Sequence, residues 1–120
     1  MSQAQHYEWD TVAIGGGGYV TGIVIHPSQL DLWYVRTDVG GAYRWDAQQR
    51  RLVQILGWIP PGGQNMYGCY GLDVDPHDSD CLYVALGRYP KRSPSGVFKS
   101  TDRGKSWVSL GLEKSMGANY

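Results

Sequence analysis

Short apolar runs punctuated by turn residues recur along this 120-residue chain, and no stretch carries a helical period long enough to propose a helix. The runs 20–25, 32–36, 42–45 and 52–55 read as four strands, bounded by Pro, Gly, Asp and Ser. The runs 72–74, 82–86, 96–100 and 107–110 repeat the series. A lone segment, 7–14, precedes both.

The two series are copies. His26-Pro27, Asp31 and Tyr34 align with Asp75-Pro76, Asp80 and Tyr83 at an offset of 49 residues. Gly41-Ala42-Tyr43-Arg44 aligns with Gly96-Val97-Phe98-Lys99, and Leu52-Val53 with Trp107-Val108, at an offset of 55. The step from 49 to 55 is a six-residue insertion, so 37–40 correspond to the longer stretch 86–95. Repeats near 50 residues with four antiparallel strands each are propeller blades, because one unit cannot bury its own faces. The predicted fold class is therefore all-β, a β-propeller with blade one over about 19–57 and blade two over about 69–112. Segment 7–14 is expected to complete a blade contributed mostly by the other end of the chain. Propellers close with about four to eight blades, and two leave strand edges and sheet faces uncovered. Residues 1–120 are thus expected to form part of an N-terminal propeller, or one side of an oligomeric assembly.

Nine Tyr, five Trp and seventeen Gly agree with an all-β repeat chain. Eleven basic and eleven acidic residues balance to zero, with no basic stripe to neutralise phosphates, which excludes nucleic acid as a partner. No apolar run approaches membrane-spanning length, and the start Met-Ser-Gln-Ala-Gln-His has no charged-then-apolar leader. That start speaks against a secretory precursor but suits a mature domain given a new initiator Met. Cys69 and Cys81 fit no metal-ligand spacing, so no metal site is expected. If 74 and 82 pair across a turn, position 69 faces the neighbourhood of 87, which also speaks against a disulfide within the hairpin.

Two phosphate-site lookalikes fail on spacing. Gly104-Lys105-Ser106 resembles the end of a P-loop, but Lys99 stands where the first glycine is required and no helix follows. The run Gly15 to Gly18 does not continue as G-x-G-x-x-G, since positions 20 and 21 are Val and Thr. Its glycines suit a structural turn, or a close approach of another chain or ligand to the main chain.

Ser100-Thr101-Asp102-Arg103-Gly104-Lys105-Ser106-Trp107 matches the Asp-box, S-x-D-x-G-x-x-W. Its chemistry is structural: the Asp accepts turn hydrogen bonds, the Gly permits the bend, and the Trp packs between sheets. The box lies between the third and fourth strands of its unit, and its degenerate counterpart begins at Trp45-Asp46. Thr37-Asp38-Val39-Gly40-Gly41 looks similar but follows the second strand, so Asp38 is not equivalent to Asp102. Connections alternate ends in an antiparallel blade, which places Asp38 on the face opposite the Asp-box turns. Gly15 to Tyr19, Gln64 to Gly68 and the enlarged loop 87–95, with Arg88 and Tyr89, open on the same face as Asp38. A carboxylate, a glycine-rich turn and the aromatics Tyr19, Tyr67, Tyr89 and Trp58 are thereby gathered. Aromatic rings beside carboxylates suit sugars. In the alternative reading the tyrosines are inter-blade packing and Asp38 caps a loop.

The runs Ala13-Ile14-Gly15-Gly16-Gly17-Gly18-Tyr19-Val20-Thr21-Gly22-Ile23 and Arg36-Thr37-Asp38-Val39-Gly40-Gly41-Ala42-Tyr43-Arg44-Trp45-Asp46 closely resemble the N-terminus of glycoside hydrolase family 74. Gly87-Arg88-Tyr89 and Met116-Gly117-Ala118-Asn119 extend the resemblance over essentially the whole chain. It implies two seven-bladed propellers with a substrate cleft between them, of which this chain is about the first two blades of the first. It implies hydrolysis of the β-1,4-glucan backbone of xyloglucan with inversion, as an endoglucanase or a reducing-end-specific cellobiohydrolase, outside the cell. Asp38 is then the general base and Gly17, Tyr19, Tyr67 and Tyr89 are glucan contacts. The general acid lies in the second propeller, so these residues alone are expected to be inactive. The expected partners are the polysaccharide, the remainder of the propeller and the second propeller, with no membrane. No cofactor is implied, because inverting hydrolysis needs only two carboxylates and water. The competing class is a non-catalytic Asp-box propeller, a binding or assembly module of the sortilin or photosystem-assembly type, which has no reason to carry the run Arg36 to Trp45.

Overall fold

The computed structural model describes residues 13–14, 17–87 and 95–111. The strands are β1 (Ala13–Ile14), β2 (Val20–Ile25), β3 (Trp33–Thr37), β4 (Ala42–Asp46), β5 (Arg51–Gln54), β6 (Cys69–Asp75), β7 (Asp78–Leu86), β8 (Gly96–Ser100) and β9 (Val108–Ser109). They form two sheets, ordered β1-β5-β4-β3-β2 and β6-β7-β8-β9. Apart from β1, each sheet is a four-stranded antiparallel meander, as the repeat predicts. The second sheet's first hairpin is longer than its apolar residues suggest, because Asp73, Asp75 and Asp78 pair through the backbone whatever their side chains.

Of segment 7–14, residues 7–12 lie outside the described residues. Its described residues, Ala13 and Ile14, run parallel to Arg51 and Leu52 at the outer edge of the first sheet. Within this chain they add a strand to blade one, whose edge offers unpaired backbone groups close by.

The main core lies between the sheets. Leu32, Tyr34 and Ala42 face Cys69, Leu72, Leu82, Val84 and Leu86, with Ile55, Leu56, Ile59 and Met66 of the connection filling the gap. A smaller cluster, Val35, Tyr43 and Leu52, lies on the other side of the first sheet, flanked by Trp33 and Trp45, whose rings stack 5.1 Å apart. Strand alternation produces this division: Tyr34 and Val35 are adjacent in β3 and point to opposite faces. Burial pushes the Tyr34 phenol up to about 12 and the Cys69 thiol up to about 12, so both stay neutral. Cys69 pairs with Leu86, away from Cys81, and both cysteines are free and buried.

Polar links cross between the blades. His26 and Asp75, equivalent positions of the two repeats, touch: His26 Nε2 lies 2.9 Å from the Asp75 carbonyl. Nδ1 accepts from the amides of Ser28 and Gln29, which assigns the ring proton to Nε2 as the donor to Asp75. In the Asp-box, Asp102 accepts from the Ser100 hydroxyl at 2.8 Å, the Ser106 amide at 2.8 Å and the Ser106 hydroxyl at 2.5 Å. Trp107 Nε1 then donates to Ile55 O at 3.0 Å, so the box fastens its turn to the inter-blade connection. Its degenerate counterpart keeps the chemistry, with Asp46 accepting from the amides of Gln48 and Gln49. Among the described residues no helix is long and apolar enough to cross a membrane.

Two outcomes follow from this packing. Leu56 is 0% exposed, and Leu56→Ala should cost about 2–5 kcal/mol in chemical denaturation, while Leu30→Ala, at an 86% exposed position, should cost under about 0.5. Asp102 is held down to about 2 from the usual 3.8, chiefly by the Ser106 hydroxyl and then by the Ser106 amide and the Ser100 hydroxyl. Its folded value lies below the unfolded one, so its contribution is complete above pH 3.8 and fades as pH falls through about 2. The melting temperature of Asp102→Asn should therefore vary less than that of the wild type across that window.

Candidate active site

Asp38 is the first residue after β3, half-buried at the rim where β2 begins. Its backbone and side chain both bind one residue. The Tyr19 amide donates to Asp38 Oδ1 at 2.8 Å, and the Asp38 amide donates to Tyr19 O at 3.1 Å. Among the described residues no hydrogen bond reaches Oδ2.

The rest of the loop is held tightly. Thr37 Oγ1 donates to Gly41 O at 2.7 Å and accepts from the Gly40 amide at 2.8 Å, a local motif that Thr forms readily. Gly40 O accepts from Tyr43 OH and from Gln54 Nε2, each at 2.9 Å. A Cβ on Gly40 would collide with the Gly17 carbonyl oxygen, so the glycine-rich turn before β2 lies directly against the Asp38 loop.

Blade two meets this rim through the backbone. The Gly41 amide donates to Tyr67 O at 2.8 Å, and the Gly87 amide donates to Gly68 O at 2.9 Å. Tyr67 ends a 3-10 turn, Gln64–Tyr67, whose Met66 is buried in the core. The starts of β2, β4 and β6 and the two ends of loop 87–95, Gly87 and Ser95, thus share one rim. In the second sheet the Asp-box turn lies at the far end of β8 from that loop.

No protein-family profile matches the chain. An oligoxyloglucan-reducing end-specific xyloglucanase of Emericella nidulans is 41% identical over 113 residues, covering 94% of this chain and 14% of that protein. A xyloglucanase of Acetivibrio thermocellus is 38% identical over 117 residues, with 94% of this chain and 14% of that protein covered. The crystal structure of a GH74 xyloglucanase from Xanthomonas campestris matches with a TM-score of 0.72 at 43% identity, over 88% of this chain and 16% of that one. The chain belongs to glycoside hydrolase family 74. It spans about 14% of the length of the curated relatives it matches.

In this family 74 chain the anticipated site residues fall into distinct places. Asp38, Gly17, Tyr19 and Tyr67 lie on the one rim. Gly17 is exposed, and Tyr19 is 76% exposed, so its ring does not pack between these two blades. Tyr67 is half-buried against the inter-blade core. Tyr89, with Arg88, lies outside the described residues. Trp58 departs from the group. Its ring tilts against Phe98 at 5.3 Å and lines a cleft of about 310 Å³ with Arg44, Val53, Arg103 and Lys105, beside the Asp-box turn. No three His, Cys, Asp or Glu among the described residues are grouped to hold a metal.

Gln54 and Tyr43, which grip the loop at Gly40, were not legible as site residues. Thr37 carries a local signal, a hydroxyl three residues before a glycine in a turn; Gln54 carries none, because its partners lie 12 and 14 residues away. The close contact of Gly40 with Gly17 yields a direct expectation. Gly40→Ala should destabilise the chain by about 1–3 kcal/mol through overpacking, whereas Gly57→Ala, where a Cβ meets nothing within 4 Å, should be within about 0.5 kcal/mol of wild type. Urea titration of the two variants checks the contrast.

Proposed function

We propose that this chain contributes the general base to an inverting glycoside hydrolase that cleaves the β-1,4-glucan backbone of xyloglucan outside the cell, and that Asp38 is that base. The observation that carries the reading is a half-buried carboxylate fixed through Oδ1 by the Tyr19 amide, with no hydrogen bond to Oδ2 from any described residue. A base must be held in one orientation and still have an oxygen available for water. The run Arg36 to Asp46 around it matches the family motif, and the relatives' names as xyloglucanases support the substrate class.

Inversion requires water activated on one face of the sugar while an acid protonates the departing oxygen, with the carboxyls about 6.5–9.5 Å apart. In this reading the acid belongs to a second propeller, which also forms the opposite wall of the cleft. Gly17, Tyr19 and Tyr67 on the rim, with Tyr89, are the glucan contacts: aromatic rings stack on the C–H faces of the sugars and backbone groups meet their hydroxyls. The 120 residues by themselves bind at most one side of the polymer and do not turn it over.

In the two-propeller protein that carries these residues, Asp38→Asn should lower the rate of oligosaccharide release from xyloglucan by about 10²–10⁴-fold, with binding of the polymer retained. Chromatography of the released products measures it. Undiminished release would remove Asp38 from the chemistry, and absence of release from the wild type would favour a non-catalytic binding propeller.

A further inference from the structure

We propose that Gln54 is a positioning residue for Asp38, fixing the loop that carries the carboxylate to the packed layer between the blades. The proposal rests on the reading of Asp38 as the base, and it names a residue that acts through the loop carrying the carboxylate.

Gln54 ends β5 opposite Tyr43. Its amide makes three hydrogen bonds, all to backbone. Nε2 donates to Gly40 O at 2.9 Å, and Oε1 accepts from the amides of Ala42 and Leu56, each at 3.1 Å. Two of these partners bracket the end of the Asp38 loop. The third begins the connection to blade two, at a residue whose side chain is fully buried between the blades. One side chain therefore joins the loop to the layer that sets the spacing of the sheets.

The surroundings are fitted to this contact. Gly41 has φ +88°, and a Cβ there would come within 2.5 Å of Gln54 Oε1, so only glycine lets the amide lie against the loop. Tyr43 OH shares the acceptor Gly40 O, which leaves that carbonyl fully engaged. On its other flank the loop is held by Thr37, and Asp38 itself by Tyr19. The segment 38–41 is thus clamped from two sides, and Gln54 is the clamp that reaches the inter-blade layer. A displacement of a base by about 1 Å can cost on the order of a hundredfold in rate, which is the scale on which such a clamp matters.

The test is residue-resolved amide exchange by NMR on the whole chain, comparing wild type with Gln54→Leu. Exchange at Tyr19, Asp38 and Gly40 should quicken by about tenfold or more, while the amides of Leu82, Tyr83 and Val84 in β7 keep their wild-type rates. Unchanged exchange at Tyr19 and Asp38 overturns the proposal, and so does equal acceleration in both sheets, which marks Gln54 as a general stabiliser. Should Gln54→Leu fail to fold, Gln54→Glu keeps both acceptor contacts and sets a carboxylate oxygen against Gly40 O in place of the donor. The same local acceleration is expected from it, and a wild-type pattern overturns the proposal.

In the two-propeller protein, Gln54→Leu should lower kcat by about tenfold with KM within about twofold, and should add little further loss when combined with Asp38→Asn. Full additivity of the two substitutions overturns positioning. If Asp38→Asn alone leaves hydrolysis intact, the base reading fails, and the exchange result still decides whether Gln54 holds the loop.

Discussion

Everything in this chain depends on one apolar layer between its two sheets. Neither sheet can cover its own inner face, so Tyr34 and Ala42 on one side and Leu82, Val84 and Leu86 on the other exclude water only together. A fully buried Leu or Val contributes about 1.5–3 kcal/mol, against about 0.5–1.5 for a net hydrogen bond. With a dozen buried side chains in the cluster, the layer outweighs the polar links from His26, Gly41 and Trp107. Those links set registry instead. They fix which backbone group of one blade faces which of the next, something apolar packing does not specify by itself.

That registry carries geometry from the core to the rim. Leu56 sits in the layer, its amide is bound to Gln54, Gln54 holds Gly40, and the loop through Gly40 presents Asp38. Tyr67 O meets the Gly41 amide from the other blade. Asp38 is therefore located by both blades, although it belongs to one, and the connection 55–68 serves as more than a tether. Its residues Ile55, Leu56, Ile59 and Met66 lie inside the layer, and its last residue is a rim contact.

Most of the architecture was legible because it follows from period and repetition. Alternation predicts strands, and an offset near 50 residues predicts blades, so β2 and β8 fall where the apolar runs place them. The early start of β7 was hidden by Asp78, Ser79 and Asp80, whose backbone pairs regardless of side chain. At the site, alternating connections were enough to bring Asp38, Tyr19 and Tyr67 to one rim. They misplaced Trp58, since a ring in a long connection goes where an aromatic partner such as Phe98 is available. Gln54 was invisible for a related reason: a side-chain amide bonded to backbone across a hairpin leaves no periodic trace.

The two aspartates that look alike in sequence show how hydrogen-bond saturation separates structure from chemistry. A carboxylate offers about four acceptor positions. Asp102 spends both oxygens on its own turn, with donors from Ser100 and twice from Ser106, and those donors hold its charge and its orientation together. Further protonation or water activation there would have to break the turn that keeps the Asp-box folded. Among the described residues Asp38 meets a single donor on a single oxygen, and the hydrogen bonds that immobilise its loop fall instead on Thr37, Gly40 and Gly41. Its position is thus fixed by neighbours rather than by its own carboxylate. A side chain that is located without being saturated keeps acceptor capacity for a further partner, and that distinction, more than the shared T-D or S-x-D spelling, separates the Asp38 rim of these blades from the Asp-box turn at their other end.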